Sequence, residues 1–211
     1  MKWNELLSCV KEDSVFSSSV LLTGQASPAG IRRQLDRWVK AGKLDTLRRG
    51  VYRVKAPYGQ GQHPFAIAMH LRKASYVSLQ SALAYYGMIP EHTPVTTSVT
   101  TSRPEHLDTP AGRFDFRHLK KDLFFGYVER ALTPGQRALI AVPEKALLDL
   151  LYLTPGSDSI HYLEELRLEP ASTFDHERFK ELAVRMNSAK VLRAVARLGN
   201  LWHHEKEDQR L

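Results

Sequence analysis

The chain has 211 residues, 43% hydrophobic and 25% charged, which excludes a disordered chain and allows one large or two small domains. A single cysteine, Cys9, excludes an internal disulfide framework and predicts a cytoplasmic protein, and no apolar run approaches the ~20 residues that cross a membrane. The net charge is +7, but residues 1–55 contain 11 Lys and Arg against 5 Asp and Glu, so this first quarter predicts a polyanionic partner.

The segment 1–55 predicts three helices and then a hairpin. Apolar residues at helical spacing predict a first helix over 3–11 and a short second helix over 17–23. A turn at 24–26 then leads to a third helix. The apolar face of this third helix is predicted at Ile31, Leu35, Trp38 and Val39.

Both ends of the third helix are signalled. Ser27 is expected to cap it and Pro28 suits its first turn, while Gly42 predicts its end. The segments 44–47 and 51–54 then predict two short strands, with Arg48, Arg49 and Gly50 between them. A helix with a basic outer face, followed by a hairpin with arginines at its tip, predicts a winged helix-turn-helix that binds double-stranded DNA.

In such a domain the third helix enters the major groove and the wing contacts the backbone or the minor groove. Arg32, Arg33 and Arg37 are expected to contact guanine edges and Gln34 an adenine, because their side chains suit those bases. The residues expected to contact phosphates are Lys40, Lys43, Arg48 and Arg49. Two copies are expected on an operator with repeated half-sites, as a homodimer at least on DNA. The alternative is a solvated helix face with ion pairs, such as Asp36 with Arg32 or Lys40. The predicted DNA-binding residues are Ser27, Arg32, Arg33, Gln34, Arg37, Lys40, Lys43, Arg48 and Arg49.

Residues 56–64, with two prolines and two glycines, predict a linker to a second domain over 65–205. This second domain is predicted to mix helices and strands and to end in a helical tail, so the whole chain is α+β. Its predicted strands are 93–103, 112–119, 123–130 and 136–141. Its predicted helices are 65–72, one that follows an extended start at 76 and ends at Gly87, 142–153, 159–167, 176–187 and 188–202.

Five segments of the sequence stand out as motifs. They are 47–53 (Leu-Arg-Arg-Gly-Val-Tyr-Arg), 76–90, 95–101, 112–118 and 140–151. The last contains the most specific motif, Pro-Glu-Lys-Ala-Leu-Leu-Asp. In these segments the chain resembles the AbiEi family of antitoxins, from type IV toxin–antitoxin loci that act in abortive infection and phage defence. The resemblance implies an N-terminal domain that represses its own operon. It also implies a C-terminal domain that counteracts a nucleotidyltransferase-like toxin.

Two alternatives to this function are a stand-alone transcription factor, whose second domain senses a ligand or oligomerises, and a metal-dependent nuclease. Asp115, Glu144 and Lys145 are the residue types of a nuclease site, in which carboxylates hold a divalent ion. Here, however, Glu and Lys are adjacent and open a helix after Pro143, so a structural role is expected. The histidines lack the spacing of a metal site. We therefore predict no enzyme activity, no cofactor and no metal.

A smaller basic group in the second domain comprises His118, Lys120 and Lys121. It could extend the DNA footprint, but a solvated turn is the expected explanation. The aromatic residues of this domain are expected to form its core, with a partner-binding surface as the alternative. These residues, with one methionine, are Tyr85, Tyr86, Met88, Phe124, Phe125 and Tyr127.

Overall fold

The computed structural model of the chain describes residues 1–10, 14–22, 27–90 and 94–208. Over these residues the fold is mixed α+β, with eight α-helices and two β-sheets. The turn predicted at 24–26 lies outside the described residues. None of the described helices combines the length and the apolar content needed to cross a lipid bilayer.

The N-terminal elements form a three-stranded antiparallel sheet covered by helices. In chain order they are α1 (Trp3–Val10), β1 (Val15–Ser17), a 3₁₀ helix (Ser18–Leu22), α2 (Pro28–Lys40), β2 (Leu44–Arg48) and β3 (Val51–Val54). The strands lie in the order β1-β3-β2. The short helix predicted over 17–23 is therefore in part wrong, because it is a 3₁₀ turn preceded by a strand. Three residues are too few for their period to reveal a strand.

The helix α2 forms where the sequence predicted the third helix. Ile31, Leu35 and Trp38 are buried against α1 and the sheet, and Gly42 follows the helix with φ +70°, the left-handed conformation that glycine allows. Ser27 occupies the N-cap position with an extended backbone, but its side chain makes no capping hydrogen bond within the described part of the chain. Ser27 therefore occupies the predicted N-cap position without a capping hydrogen bond, and Pro28 is the first residue of the helix.

The second group of elements builds a six-stranded sheet. It contains α3 (Pro64–Leu71), β4 (Ser75–Val77), α4 (Leu79–Tyr85), β5 (Val95–Thr100), β6 (Glu105–Thr109), β7 (Gly112–His118), β8 (Tyr127–Thr133) and β9 (Gln136–Ala141). The strand order is β6-β7-β5-β4-β9-β8, in which β5 with β7 and β4 with β9 are parallel pairs. The strand predicted over 123–130 begins four residues later than expected, because Lys121–Leu123 forms a 3₁₀ turn.

Four helices pack beside this sheet and contribute a large part of the larger core. They are α5 (Pro143–Leu153), α6 (Ile160–Glu165), α7 (His176–Met186) and α8 (Ala189–Asp208). The helix α5 lies between the sheet and the tail helices, and every residue from 143 to 151 is buried. The predicted aromatic core is only partly realised, since Tyr85 is exposed while Phe124, Phe125 and Tyr127 pack at the core's edge.

A separate cluster of apolar side chains joins the two halves of the chain, and we call it the seam. Its residues are Val15, Leu47, Val51, Ile67, Ala68, Leu71, Phe114 and Phe116. The first three come from the N-terminal sheet, and the others come from α3 and β7. A hydrogen bond also joins the two halves beside the seam. The Arg53 guanidinium donates to the carbonyl of Pro110 at 3.2 Å. The two sheets are therefore packed against each other across the predicted linker.

The predicted linker is itself held by hydrogen bonds. The amide of Gln60 donates to Ser14 Oγ at 2.8 Å, and the amide of His63 donates to Gln136 Oε1 at 2.7 Å. The side-chain amide of Gln136 returns a hydrogen bond to the carbonyl of Gly61 at 2.8 Å. His63 then caps α3, because its Nδ1 accepts from the amide of Phe65 at 3.2 Å.

The cap at His63 predicts a pH dependence of stability. Burial lowers the pKa of His63, and only the neutral ring can accept from Phe65. Because the unfolded chain takes up this proton near pH 6.5 and the folded chain resists it, the contribution is complete above pH 6.5 and falls below it. We expect His63→Asn, which keeps a capping acceptor, to flatten the fall in the free energy of unfolding between pH 7 and pH 5. Urea denaturation across this range measures it, and an unchanged slope would contradict the cap's role.

Candidate nucleic-acid interface

One face of α2 carries exposed cations directly opposite its buried face. At 100° per residue, Arg33 and Lys40 lie about 180° from Ile31 and Leu35, and Arg37 lies beside them. All three cations are exposed. None of the ion pairs in the described part of the chain involves them. These three charges are therefore available to a partner outside the chain.

Two further charged residues of α2, Arg32 and Asp36, lie on the side of the helix nearest to Tyr52 of β3. Arg32 and Asp36 are exposed, and both lie close enough to Tyr52 on β3 to affect its pKa. Burial raises the pKa of the Tyr52 phenol, the Asp36 carboxylate raises it further, and Arg32 opposes this. The ion pairs of Asp36 with Arg32 or Lys40, which the alternative of a solvated helix face suggested, are not among the described ion pairs. Arg32 therefore belongs to the edge of the cationic face and not to its centre.

Two of the residues predicted to contact phosphates, Lys43 and Arg48, make contacts within the chain. Lys43 Nζ lies 4.9 Å from the ring centroid of Trp3 and 5.4 Å from that of Tyr58, a cation–π arrangement beside the N-terminal core. Arg48 Nη1 donates to the carbonyl of Leu71 at 3.0 Å and to Glu105 Oε2 at 3.2 Å. Lys43 and Arg48 thus stabilise the packing within the chain, and their contact with phosphates stays a prediction.

The remaining predicted residues lie around the outer face of α2 or at the tip of the β2–β3 hairpin. Ser27 and Arg49 are exposed, at the start of α2 and at the hairpin between β2 and β3, and Gln34 is half-buried on the flank of α2. The sequence gives no signal for Tyr58 or Glu105, the two partners that engage Lys43 and Arg48. They lie 15 and 57 residues from these cations, so only the tertiary fold brings them together.

The residues of the nuclease hypothesis are not assembled into an open site. Glu144 and Lys145 are buried on α5, and Glu144 Oε1 accepts from the amide of Asp175 at 2.7 Å. Asp115 lies on β7, where His106 Nδ1 is 3.0 Å from its carboxylate. No described hydrogen bond or ion pair joins Asp115 to the other two. Over the described ranges, no three His, Cys, Asp or Glu residues lie close enough to hold a metal ion.

Lys145 instead belongs to a buried polar network. Its ammonium donates to Tyr76 Oη at 2.9 Å and to Asp149. The same carboxylate accepts from Tyr76 at 2.9 Å and from the Ser78 hydroxyl at 2.8 Å. Gly126 lets the lysine stem pass, since a Cβ there would lie 2.9 Å from Lys145 Cγ. The network therefore ties β4, α5 and the loop before β8 together.

Burial dominates the protonation of this network. It lowers the pKa of Lys145 and raises the pKa of Asp149, and the attraction between the two charges opposes both shifts. Burial also raises the pKa of the Tyr76 phenol, and the Asp149 carboxylate raises it further, so the phenol stays protonated and donates. The network thus fits a structural role inside the core, without the solvent access that a reacting group needs.

Comparison of the sequence with protein-family models and with curated proteins finds no match.

The buried network predicts strongly coupled stability effects. We expect Lys145→Met to lower the free energy of unfolding by ~3–5 kcal/mol, because Asp149 would lose the cation that compensates its buried charge. The double variant Lys145→Met/Asp149→Asn should lose less than Lys145→Met alone, since neither charge is left. Urea denaturation followed by circular dichroism measures both variants. Losses that simply add would mean that the two side chains do not depend on each other.

Proposed function

We propose that this protein is a sequence-specific DNA-binding repressor in which residues 1–55 act as a winged helix-turn-helix. The proposal is supported by the order of elements, in which α2 is followed at once by the β2–β3 hairpin. In this arrangement α2 serves as the recognition helix and the hairpin serves as the wing. The observation that carries the proposal is the row of exposed cations on the face of α2 that points away from the core.

The residues of α2 divide by the contact they suit. Arg33 and Arg37 are planar donors that can bind the O6 and N7 atoms of guanine together. Lys40 offers a compact charge to a phosphate. Arg32 and Gln34 flank this row and are placed for contacts at the edge of the groove, while Arg49 on the wing tip is placed for the backbone. Because one such domain buries little area, two copies on repeated half-sites are proposed.

The proposed biological role is that of an antitoxin that represses its own operon. This role is supported by the resemblance of the five segments to AbiEi antitoxins, in which the second domain counteracts a nucleotidyltransferase-like toxin. The motif Pro-Glu-Lys-Ala-Leu-Leu-Asp coincides with the first two turns of α5. Because that motif is buried, its residues shape the second domain and do not themselves contact a toxin. The partner surface of this domain must lie elsewhere.

The DNA-binding proposal predicts distinct effects of two substitutions on α2. Arg33→Ala should weaken binding to the preferred duplex by about 5- to 150-fold, the worth of one bidentate base contact, and should reduce discrimination against unrelated sequence. Lys40→Ala should weaken binding to both duplexes and lower the slope of log K against log salt by about 1. The probes are a labelled duplex from the region upstream of its own gene and a scrambled duplex of equal length.

Fluorescence anisotropy at several salt concentrations measures both effects. The matched control is Arg178→Ala/Lys180→Ala on α7, whose exposed cations lie on the helical tail and should have no effect. If Arg33→Ala and Lys40→Ala bind as tightly as the control, α2 does not read DNA. If the unchanged protein shows no salt-dependent binding to either duplex, the proposal itself is wrong.

The antitoxin role is tested by co-expression with the gene adjacent to its own. We expect the protein to restore growth that the neighbouring gene product inhibits, if that gene encodes a nucleotidyltransferase-like protein. Arg33→Ala/Lys40→Ala should still restore growth, because protection is assigned to the second domain, although repression of a promoter reporter should be abolished. Growth that the intact protein does not restore would favour a stand-alone transcription factor.

A further inference from the structure

A groove of about 380 Å³ lies between the end of α6 and the middle of α8. Its volume falls at the lower end of the range of cavities that hold small molecules. Among the described residues, those that line it come only from α6, from the segment 167–169 that follows α6, and from α8. We call it the tail groove, and its lining consists of five apolar and three charged residues.

The floor of the tail groove is apolar and belongs to the larger core. Most of its side chains are buried, and one, Leu201, is half-buried. Because these side chains already pack within the core, the floor is formed before a ligand arrives and little ordering is needed on binding. The floor therefore suits a ligand with an apolar part. Its residues are Leu163, Leu168, Leu198, Leu201 and Trp202.

The charged residues of the tail groove are Glu164, Arg167 and Glu169, and all three are exposed. None of them takes part in an ion pair within the described part of the chain. One guanidinium and two carboxylates thus line the groove beside its apolar floor. Both a donor for an anionic group and acceptors for a cationic group are available to a ligand.

The backbone of Arg167 is in an unfavourable conformation. Leu166 ends α6, and Arg167 follows with φ +44°, in the left-handed region where glycine is the usual residue after a helix. An arginine at this position lowers stability relative to glycine, and no described ion pair of its side chain offsets this cost. Residues that break a local rule are expected where a ligand is held. The backbone therefore points independently to a role for the Arg167 side chain.

We propose that the tail groove binds a free α-amino acid with a large apolar side chain. Such a ligand carries one carboxylate, one ammonium group and one apolar part, and the groove offers a partner to each. The planar guanidinium of Arg167 binds the carboxylate, and the carboxylates of Glu164 and Glu169 bind the ammonium group. The apolar side chain of the ligand lies on Leu201 and Trp202.

The charge pattern of the tail groove disfavours other ligands of similar size. A purely anionic ligand meets two glutamates, and a polyamine meets Arg167 and leaves the apolar floor uncovered. A zwitterion with an apolar side chain matches both signs of charge and the floor. The inference stands apart from the proposed DNA-binding function, since the groove shares no residue with α2 or the β2–β3 hairpin.

Isothermal titration calorimetry of the full chain tests the ligand class. The probes are L-leucine, L-phenylalanine and L-serine. We expect L-leucine or L-phenylalanine to bind with a dissociation constant on the order of 0.1–1 mM, as suits a ligand of few atoms, and L-serine not to bind detectably. Leucinamide, which lacks the carboxylate, and N-acetyl-L-leucine, which lacks the ammonium group, should each bind about tenfold more weakly than L-leucine.

Two variants assign the contacts. Arg167→Gly should weaken L-leucine about tenfold and not leucinamide, while the midpoint of thermal unfolding should not fall, because glycine suits the left-handed backbone. Glu164→Gln/Glu169→Gln should weaken L-leucine about tenfold and strengthen N-acetyl-L-leucine, because two repelling charges are removed. The matched control is Arg178→Gln/Glu181→Gln, which neutralises exposed charges of both signs on α7 and should bind every probe like the unchanged protein.

Three outcomes would overturn the inference. The first is that the unchanged protein binds neither L-leucine nor L-phenylalanine. The second is that leucinamide and N-acetyl-L-leucine bind as tightly as L-leucine. The third is that Arg167→Gly and Glu164→Gln/Glu169→Gln bind the probes like the control. All three are measured without DNA, so failure of the proposed DNA-binding function leaves this inference standing, and the converse also holds.

Discussion

The seam between the two halves is the contact on which the functional geometry depends. Leu47 and Val51 belong to the same buried apolar cluster as Phe114 and Phe116, so the β2–β3 hairpin is part of a shared core. Apolar burial supplies attraction but little direction. Direction comes from Glu105, which accepts from arginines on both sides of the seam. Together these contacts hold the β2–β3 hairpin and the larger sheet in one arrangement.

The buried ion pair in the larger core orients one helix on the sheet. The Lys145–Asp149 pair, with Tyr76 and Ser78, occupies a site where apolar side chains would serve stability equally well. Each polar atom of this network requires a specific partner, so the network specifies how α5 is oriented on β4. The most characteristic motif of the sequence is therefore explained by packing. Glu144, Lys145 and Asp149 are all buried on α5, so their charges act on partners inside the core.

Sequence patterns predicted the fold best for helices whose ends and buried face depend only on residues of the helix itself. The period of Ile31, Leu35 and Trp38 and the glycine at 42 defined α2, since helix faces and left-handed ends depend on few neighbours. The strand β1 was missed because it exists only through pairing with β3. The strand β6 was missed because its one sizeable apolar residue is Leu107, which leaves no run to detect. In the interface, the positions on α2 followed from helical period, whereas the engagement of Lys43 and Arg48 required knowledge of Tyr58 and Glu105.

The distribution of charge along the chain and its distribution in space are different quantities. Residues 1–55 hold most of the excess positive charge, yet Lys43, Arg48 and Arg53 are occupied by aromatic rings, by carboxylates or by carbonyl groups. Residues 56–211 are almost balanced, with 19 basic against 18 acidic side chains, but the fold collects several exposed cations at one end of a sheet. The electric field at the surface is set by the cations that remain unpaired there. A count along the sequence assigns the excess positive charge to the first quarter alone, whereas the fold divides the exposed cations between α2, the tip of the β2–β3 hairpin and the end of β5 and β7.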